Sequence, residues 1–361
     1  MNVTRVLRET ARQWGLAWAC SVTLVAIMLV MSATTNVPLH DPDNVLPGYI
    51  RFPLIVIAVL AVDVVPRVAV ASVRRRLAPW RALVHVMRDR WPASHWWFAA
   101  NGVVSWYVCY AAFRNVKSMA PIANPLRWDD ELAHLDSLVL GGHDPARLLH
   151  SLLGQGWAAH LLSSVYFLWI AMVPVSIAFA LVWTRVGSAG AWFVTAVSVD
   201  WLGGAILYYL VPTVGPIYSD HPTFAGLPHT YVTTLANDMW DDRVKVMAAP
   251  TTYDGLQTIA AFPSLHVGIM VTITMTVILI RAPRIARIAA WTMLVLTVLA
   301  TVYLGWHFGA DVIGGAALGA FAVWAAAMGT GNHVGWRPVL RRDDRPAPMD
   351  DVASRALTTP L

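Results

Sequence analysis

Apolar residues gather into eight runs, at 14–34, 52–72, 95–113, 158–183, 190–211, 265–280, 288–306 and 311–329. Such runs, of roughly 16–26 residues, match the length a helix needs to cross a hydrocarbon core about 30 Å thick. The pattern predicts an all-α, polytopic membrane helix bundle with about eight transmembrane helices. Gly and Pro interrupt several runs, which membrane helices tolerate when neighbours satisfy the backbone. The first run follows Arg5, Arg8 and Arg12. Its length, and the spans that follow it, predict a retained anchor rather than a cleaved signal.

Composition strengthens this reading. The 361 residues are 57% hydrophobic and only 13% charged, against about 25% charged in a soluble domain. The net charge of +5 does not point to nucleic acid, because the arginines cluster in short loops between apolar runs. Arg74, Arg75, Arg76, Arg81, Arg88 and Arg90 link runs two and three. Arg185 precedes run five, Arg281, Arg284 and Arg287 precede run seven, and Arg337, Arg341, Arg342 and Arg345 follow run eight. Eight crossings put all of these, and both termini, on one face, which the positive-inside rule makes cytoplasmic. Arg51 is the exception in a short loop. Cys20 and Cys109 both lie inside apolar runs and read as packing residues, not a disulfide. The Ala-, Val- and Arg-rich usage fits a bacterial plasma membrane.

The predicted organisation is two accessory helices with a basic linker (1–91), a six-helix catalytic core (92–330) and a disordered cytoplasmic tail (331–361). The chemistry-bearing residues fall at the outer ends of the last three runs. Pro263-Ser264 precedes run six, where Ser264 can cap the helix and the first free N–H groups can hold an anion. His266 follows within one turn. His307 and Asp311 lie four apart between runs seven and eight, on one face if helical. Asp311 can then orient His307, leaving the second ring nitrogen to attack. An interfacial His is more often an anchor, but three ionisable groups at one depth favour catalysis.

Phe262-Pro263-Ser264-Leu265-His266 and His307-Phe-Gly-Ala-Asp311, followed by Gly314-Gly315, resemble the second and third motifs of the type 2 phosphatidic acid phosphatase (PAP2) superfamily. The Pro-Ser-Leu-His sequence and the residues before His307 are similar to its inositol phosphorylceramide synthase branch. So are the segments Val211–Tyr218 and Arg114–Lys117. The resemblance covers roughly 95–325. It implies a six-helix core and a phosphohistidine intermediate, with no metal and no cofactor. His307 would be the nucleophile, Asp311 its orienter, His266 the proton donor and then acceptor, and Ser264 a phosphate ligand.

The chain departs from that pattern in one respect. The first motif, Lys-x6-Arg-Pro, is not found, and Ala300-Thr301 replaces a Ser-Arg pair. Other cations must neutralise the phosphate, since losing its donors costs several kcal/mol in the transition state. The outer candidates are Arg114, Lys117, Arg243 and Lys245, with Arg114 preferred for bidentate contact. The outer segments 114–157 and 212–264 read as long lids, and their acidic residues, Asp129, Asp130, Asp136, Asp241 and Asp242 among them, could bind the hydroxyls of a sugar or cyclitol. A merely solvated loop explains each of these equally well. Asp63 and Asp200 lie inside runs two and five, and Asp200 is too deep to touch the phosphate.

Three functions stay open. One is a phosphotransferase on the extracytoplasmic face, moving a phospho-headgroup such as inositol phosphate from a phospholipid to a lipid or glycan alcohol. Another is a lipid phosphate phosphatase acting on phosphatidic acid or a polyprenyl phosphate. The third, a lipid-binding or transport protein without catalysis, leaves the His-His-Asp set unexplained.

Overall fold

The computed structural model describes residues 3–42, 48–76, 78–183 and 187–341. The helices are α1 (Val3–Thr35), α2 (Gly48–Arg75), α3 (Pro79–Arg90), α4 (Ala93–Ala123), α5 (Asp129–Val139), α6 (Pro145–Leu153) and α7 (Trp157–Val182). They continue as α8 (Gly187–Leu210), α9 (Pro216–Ser219), α10 (His221–Phe224), α11 (Tyr231–Ala248), α12 (Leu265–Leu279), α13 (Arg284–Tyr303) and α14 (Gly309–Thr330). A hairpin of β1 (His333–Val334) and β2 (Arg337–Pro338) closes the described chain.

Each of the eight apolar runs falls on a helix: α1, α2, α4, α7, α8, α12, α13 and α14. Among the described residues five of them, α1, α7, α8, α13 and α14, are long and apolar enough to cross a bilayer by length and composition. The others differ for visible reasons. α12 has 15 residues, about 22 Å of helix, because Ser264 starts it at the depth of the site. α4 runs on to Ala123, so Arg114 and Lys117 lie on the helix itself rather than just beyond it. α2 carries Asp63 and several arginines.

α8 is the central strut, packed against α1, α4, α7, α12 and α14. Small residues set the closest approach, as in membrane helix pairs generally. A Cβ at Gly315 would collide with the Ser264 carbonyl, and one at Gly319 with the Gly268 carbonyl. These glycines, four apart on α14, let α12 lie directly against it. That contact fixes the distance between the two histidine-bearing segments.

The expected accessory pair divides. α1 belongs to the main core: Trp14 is fully buried beside Gly102 and Phe98, and Ser21 Oγ donates to the Ser105 carbonyl at 2.7 Å. α2 sits at the edge, where Val64, Val86, Trp91 and Val182 form a small separate cluster. There the buried Asp63 accepts from Arg67, Arg90 and the Trp91 indole at 3.1–3.2 Å. Asp200 is fully buried and receives the Thr272 hydroxyl at 2.7 Å.

The outer segments are mostly helical rather than open lids, forming α5–α6 and α9–α11. The tail also needs correction. Residues 331–341 are ordered: Gly331 ends α14 in the left-handed conformation, Asn332 is buried and donates to the Ser188 carbonyl, and Leu340 packs into the core. Residues 342–361, whose disorder was expected, lie outside the described residues. So do Arg185, Arg342 and Arg345, three of the arginines that set the orientation.

Candidate active site

Three local structures bring the ionisable groups together. Ser264 caps α12, its fully buried Oγ accepting the Val267 N–H at 3.3 Å. This places His266 in the first turn, where its ring centre lies 4.2 Å from that of Trp169 and 4.9 Å from that of Tyr166, tilted against both. The Trp169 indole donates to the His266 carbonyl at 3.0 Å. α13 ends at Tyr303, and Gly305, with φ +77°, reverses the chain so that His307 points back into the bundle. Asp311, in the first turn of α14, accepts the Phe308 N–H at 2.9 Å.

The result is a linear relay. His266 Nδ1 lies 3.0 Å from His307 Nε2, and His307 Nδ1 lies 3.3 Å from Asp311 Oδ2. The second contact is long for a hydrogen bond, as catalytic contacts often are before substrate binds. With Asp311 accepting from Nδ1–H, the Nε2 lone pair of His307 faces His266. His307 is buried. Burial and the Lys117 charge push its pKa down to about 3, against a smaller opposing effect of the Ala261 backbone, so the imidazole is neutral near pH 7.

Two acidic residues of the outer segments serve the backbone instead of a ligand. Asp136 accepts the Gly309 and Ala310 N–H groups at 2.6 and 2.8 Å, capping α14 from α5. Asp129 accepts the Val214 and Gly215 N–H groups at 3.0 and 2.9 Å. Both are buried against that backbone, away from the sugar or cyclitol role expected of them. Asp242 accepts from the Tyr253 hydroxyl, while Asp130 and Asp241 are exposed.

The four candidate cations separate sharply. Lys117 is the one brought to the relay: its charge acts on both imidazoles, and its ammonium lies 4.8 Å from the centre of the Tyr208 ring. Arg114, preferred from sequence, turns instead to the Pro42 carbonyl at 3.2 Å and to Tyr110. Residues three apart are neighbours on a helix, so the split lies in how the side chains extend, Arg114 along Pro42 and Tyr110 and Lys117 over Tyr208. Arg243 donates to Gln257 Oε1 at 3.3 Å. Lys245 is exposed on α11, where its charge acts on Tyr253.

Sequence reasoning missed the supports of this site. Gln257 is fully buried and ties α4 to α11: its Nε2 donates to the Lys117 carbonyl at 2.9 Å while its Oε1 receives Arg243 and the Ile259 N–H. His150 contacts the Tyr303 carbonyl at 2.9 Å, and the Tyr303 hydroxyl donates to Gly154, fixing the end of α13 just before His307. A buried glutamine in an unpatterned loop gives no signal of its own.

The family model described as PAP2 superfamily matches residues 130–333, more than half of the chain and all three relay residues. The chain belongs to the PAP2 superfamily. No curated protein and no solved structure matches it. Membership makes this PAP2 protein an integral membrane protein whose relatives are phosphatases or phosphotransferases acting on lipids. The match begins after α4, so Lys117 and Arg114 lie outside it.

Proposed function

We propose that this PAP2 protein is a lipid phosphotransferase working through a phosphohistidine on His307. The observation that carries the proposal is the relay His266–His307–Asp311, with nitrogen-to-nitrogen and nitrogen-to-oxygen distances of 3.0 and 3.3 Å. His307 Nε2 attacks the phosphorus of a phospholipid. The bond to the diacylglycerol oxygen breaks, and His266 delivers a proton to that oxygen. An alcohol then attacks the phosphohistidine, His266 takes its proton, and the P–N bond breaks. Asp311 holds the Nδ1 proton of His307 throughout, which is the role of the third member of a base-and-orienter set. Lys117 and Ser264 bind the phosphoryl oxygens.

At 3.0 Å the two rings leave no room for a phosphoryl group, since reacting atoms approach to about 3–3.5 Å in a near-attack complex. Substrate therefore parts them. The arginine asymmetry of the loops supports a site on the extracytoplasmic face with cytoplasmic termini. The synthase-like motifs favour transfer, with inositol phosphate as the first headgroup to try and a lipid or glycan alcohol as acceptor. The second reading is a phosphatase, in which water takes the acceptor's place at the same histidines.

A phosphodiester labelled in its headgroup decides between them. Transfer yields a labelled second lipid or glycan. Labelled phospho-headgroup released to water as the only labelled product, or activity confined to monoesters, refutes transfer. Vanadate, a trigonal-bipyramidal mimic, inhibits both reactions.

A further inference from the structure

The charge of Lys117 is uncompensated. Other cations of the outer segments are paired: Arg127 meets Asp129 at 3.1 Å, and Arg147 meets Asp220 at 3.4 Å. Among the described residues no carboxylate pairs with Lys117, and the charge that acts on it is a second cation, Arg114. What lies against its ammonium instead is the ring of the buried Tyr208, with the ring centre 4.8 Å away.

α8 sets Tyr208 in this place. The residue stands two positions before that helix ends at Leu210. One turn earlier, Gly204 rests against the side chain of Leu265, the neighbour of His266, and residues four apart share a helix face. The face that carries Tyr208 therefore meets the start of α12. The Leu265 backbone and the Asp311 charge both act on the Tyr208 hydroxyl. On the other side its ring lies against Phe113 of α4, 6.0 Å between centres, and Phe113 is one turn before Lys117. Tyr208 thus stands between the helix that carries the cation and the segments that carry the relay.

We propose that Tyr208 is a positioning residue, the aromatic platform that holds the Lys117 ammonium at the relay without neutralising it. This rests on the reading of Lys117 as a phosphoryl ligand. A carboxylate in the same place would also hold the ammonium, but it would cancel the charge that a phosphoryl group needs. A ring face attracts a cation through its quadrupole, most strongly where water is excluded, and it carries no net charge. Backbone and side chain of Lys117 are then held by different groups. Gln257 Nε2 donates to the Lys117 carbonyl at 2.9 Å, and Tyr208 takes the ammonium. The flexible four-carbon stem of a lysine is in this way fixed at both ends. The role belongs to the ring of Tyr208 and not to its hydroxyl.

The test is a double-mutant cycle on the full-length protein in nanodiscs, read by turnover of the labelled phosphodiester and by inhibition with vanadate. Tyr208→Leu keeps an apolar side chain and removes the ring face. Turnover is expected to fall about tenfold, equivalent to about 1.4 kcal/mol, and vanadate to inhibit more weakly by a similar factor. Tyr208→Phe, which keeps the ring, recovers most of both. In a Lys117→Met background Tyr208→Leu has little further effect, because residues in contact act non-additively. Fluorinated phenylalanines at position 208 weaken the quadrupole at nearly constant shape, which keeps the test independent of folding, and turnover is expected to fall stepwise along that series. Turnover that stays flat along the series overturns the proposal. So does a full tenfold loss from Tyr208→Leu in the Lys117→Met background, since the ring then supports the fold and not the ammonium. Tyr208→Phe as impaired as Tyr208→Leu overturns it too, by giving the role to the hydroxyl. Normal turnover in Lys117→Met is a different failure: it removes the phosphoryl role of Lys117 itself, and the role of Tyr208 with it.

Discussion

The two sides of the site are built in different ways. The histidine side is local: Ser264 caps α12, Asp311 accepts the Phe308 N–H within its own first turn, and the Gly315 and Gly319 notches press α14 onto α12. The cation side is remote. Lys117 comes from α4, where its backbone carbonyl accepts from the fully buried Gln257, which also receives Arg243 of α11. The proposed nucleophile and its orienter thus share a few residues of chain, while the proposed charge neutralisation is assembled by the fold. The family match reflects this division, covering the relay and leaving out Lys117.

The largest effect is expected on the local side. His307→Ala removes the attacking nitrogen and should lower turnover by at least about 10⁴-fold, the scale seen when a nucleophile is deleted from a catalytic set. Acid-labile phosphoryl label on the protein should vanish with it. Full activity in this variant would end the nucleophile assignment. His266→Ala should cost about 10²–10⁴-fold, the usual contribution of a general acid or base. With a donor whose leaving group needs no proton, this variant should accumulate the adduct instead of losing it.

Lys117→Met tests the remote side. Removing one donor to a developing oxyanion costs about 10²–10³-fold, so Lys117→Met should fall in that range. Arg114→Met, whose guanidinium turns to Pro42, and Lys245→Met, which is exposed, should each change turnover far less. Equal losses for Lys117 and Arg114 would break the comparison, because the phosphate would then be clamped from a wider arc of α4.

This contrast also explains what could be read from the chain. The eight runs became eight helices because apolar length is a property of contiguous residues. Pro263-Ser264 and the His307-to-Asp311 spacing were legible for the same reason, each being a single turn of backbone. The order of Arg114 and Lys117 was not legible, because it depends on how the two side chains extend from α4, and that is set by packing. The ordered tail at 331–341 was hidden likewise: its polar composition reads as loop, yet Asn332 and Leu340 are buried by α8 and α14. Asp136 looked like a solvated acid because its partners, Gly309 and Ala310, lie far along the sequence.

The pH dependence of stability separates the sides more finely. Burial first, and the Lys117 charge second, hold His307 down to about 3 from an ordinary 6.5. Below pH 6.5 the unfolded chain therefore binds a proton at this position that the folded chain does not. The stabilisation is complete above about pH 6.5 and is lost as pH falls toward 3. Melting temperature should drop over that window in the wild type and less steeply in His307→Gln. Lys117→Met should flatten the drop slightly, because it removes the second cause and leaves burial.

The smallest expected effect concerns a residue that touches no substrate. Asp136 links the two regimes: it comes from α5, remote in sequence, yet it caps the helix that begins at Gly309. Asp136→Ala leaves two N–H groups at that helix start without their acceptor. Losing a cap costs about 0.5–2 kcal/mol, so thermal unfolding should show a fall of a few degrees. Activity should fall with it, because the freed helix start is two residues from His307. Asp136→Asn keeps one acceptor oxygen and should recover part of both losses. If Asp136→Ala melts earlier but turns over normally, the cap serves the fold alone and the relay is held by Asp311 and the α12 contact without it.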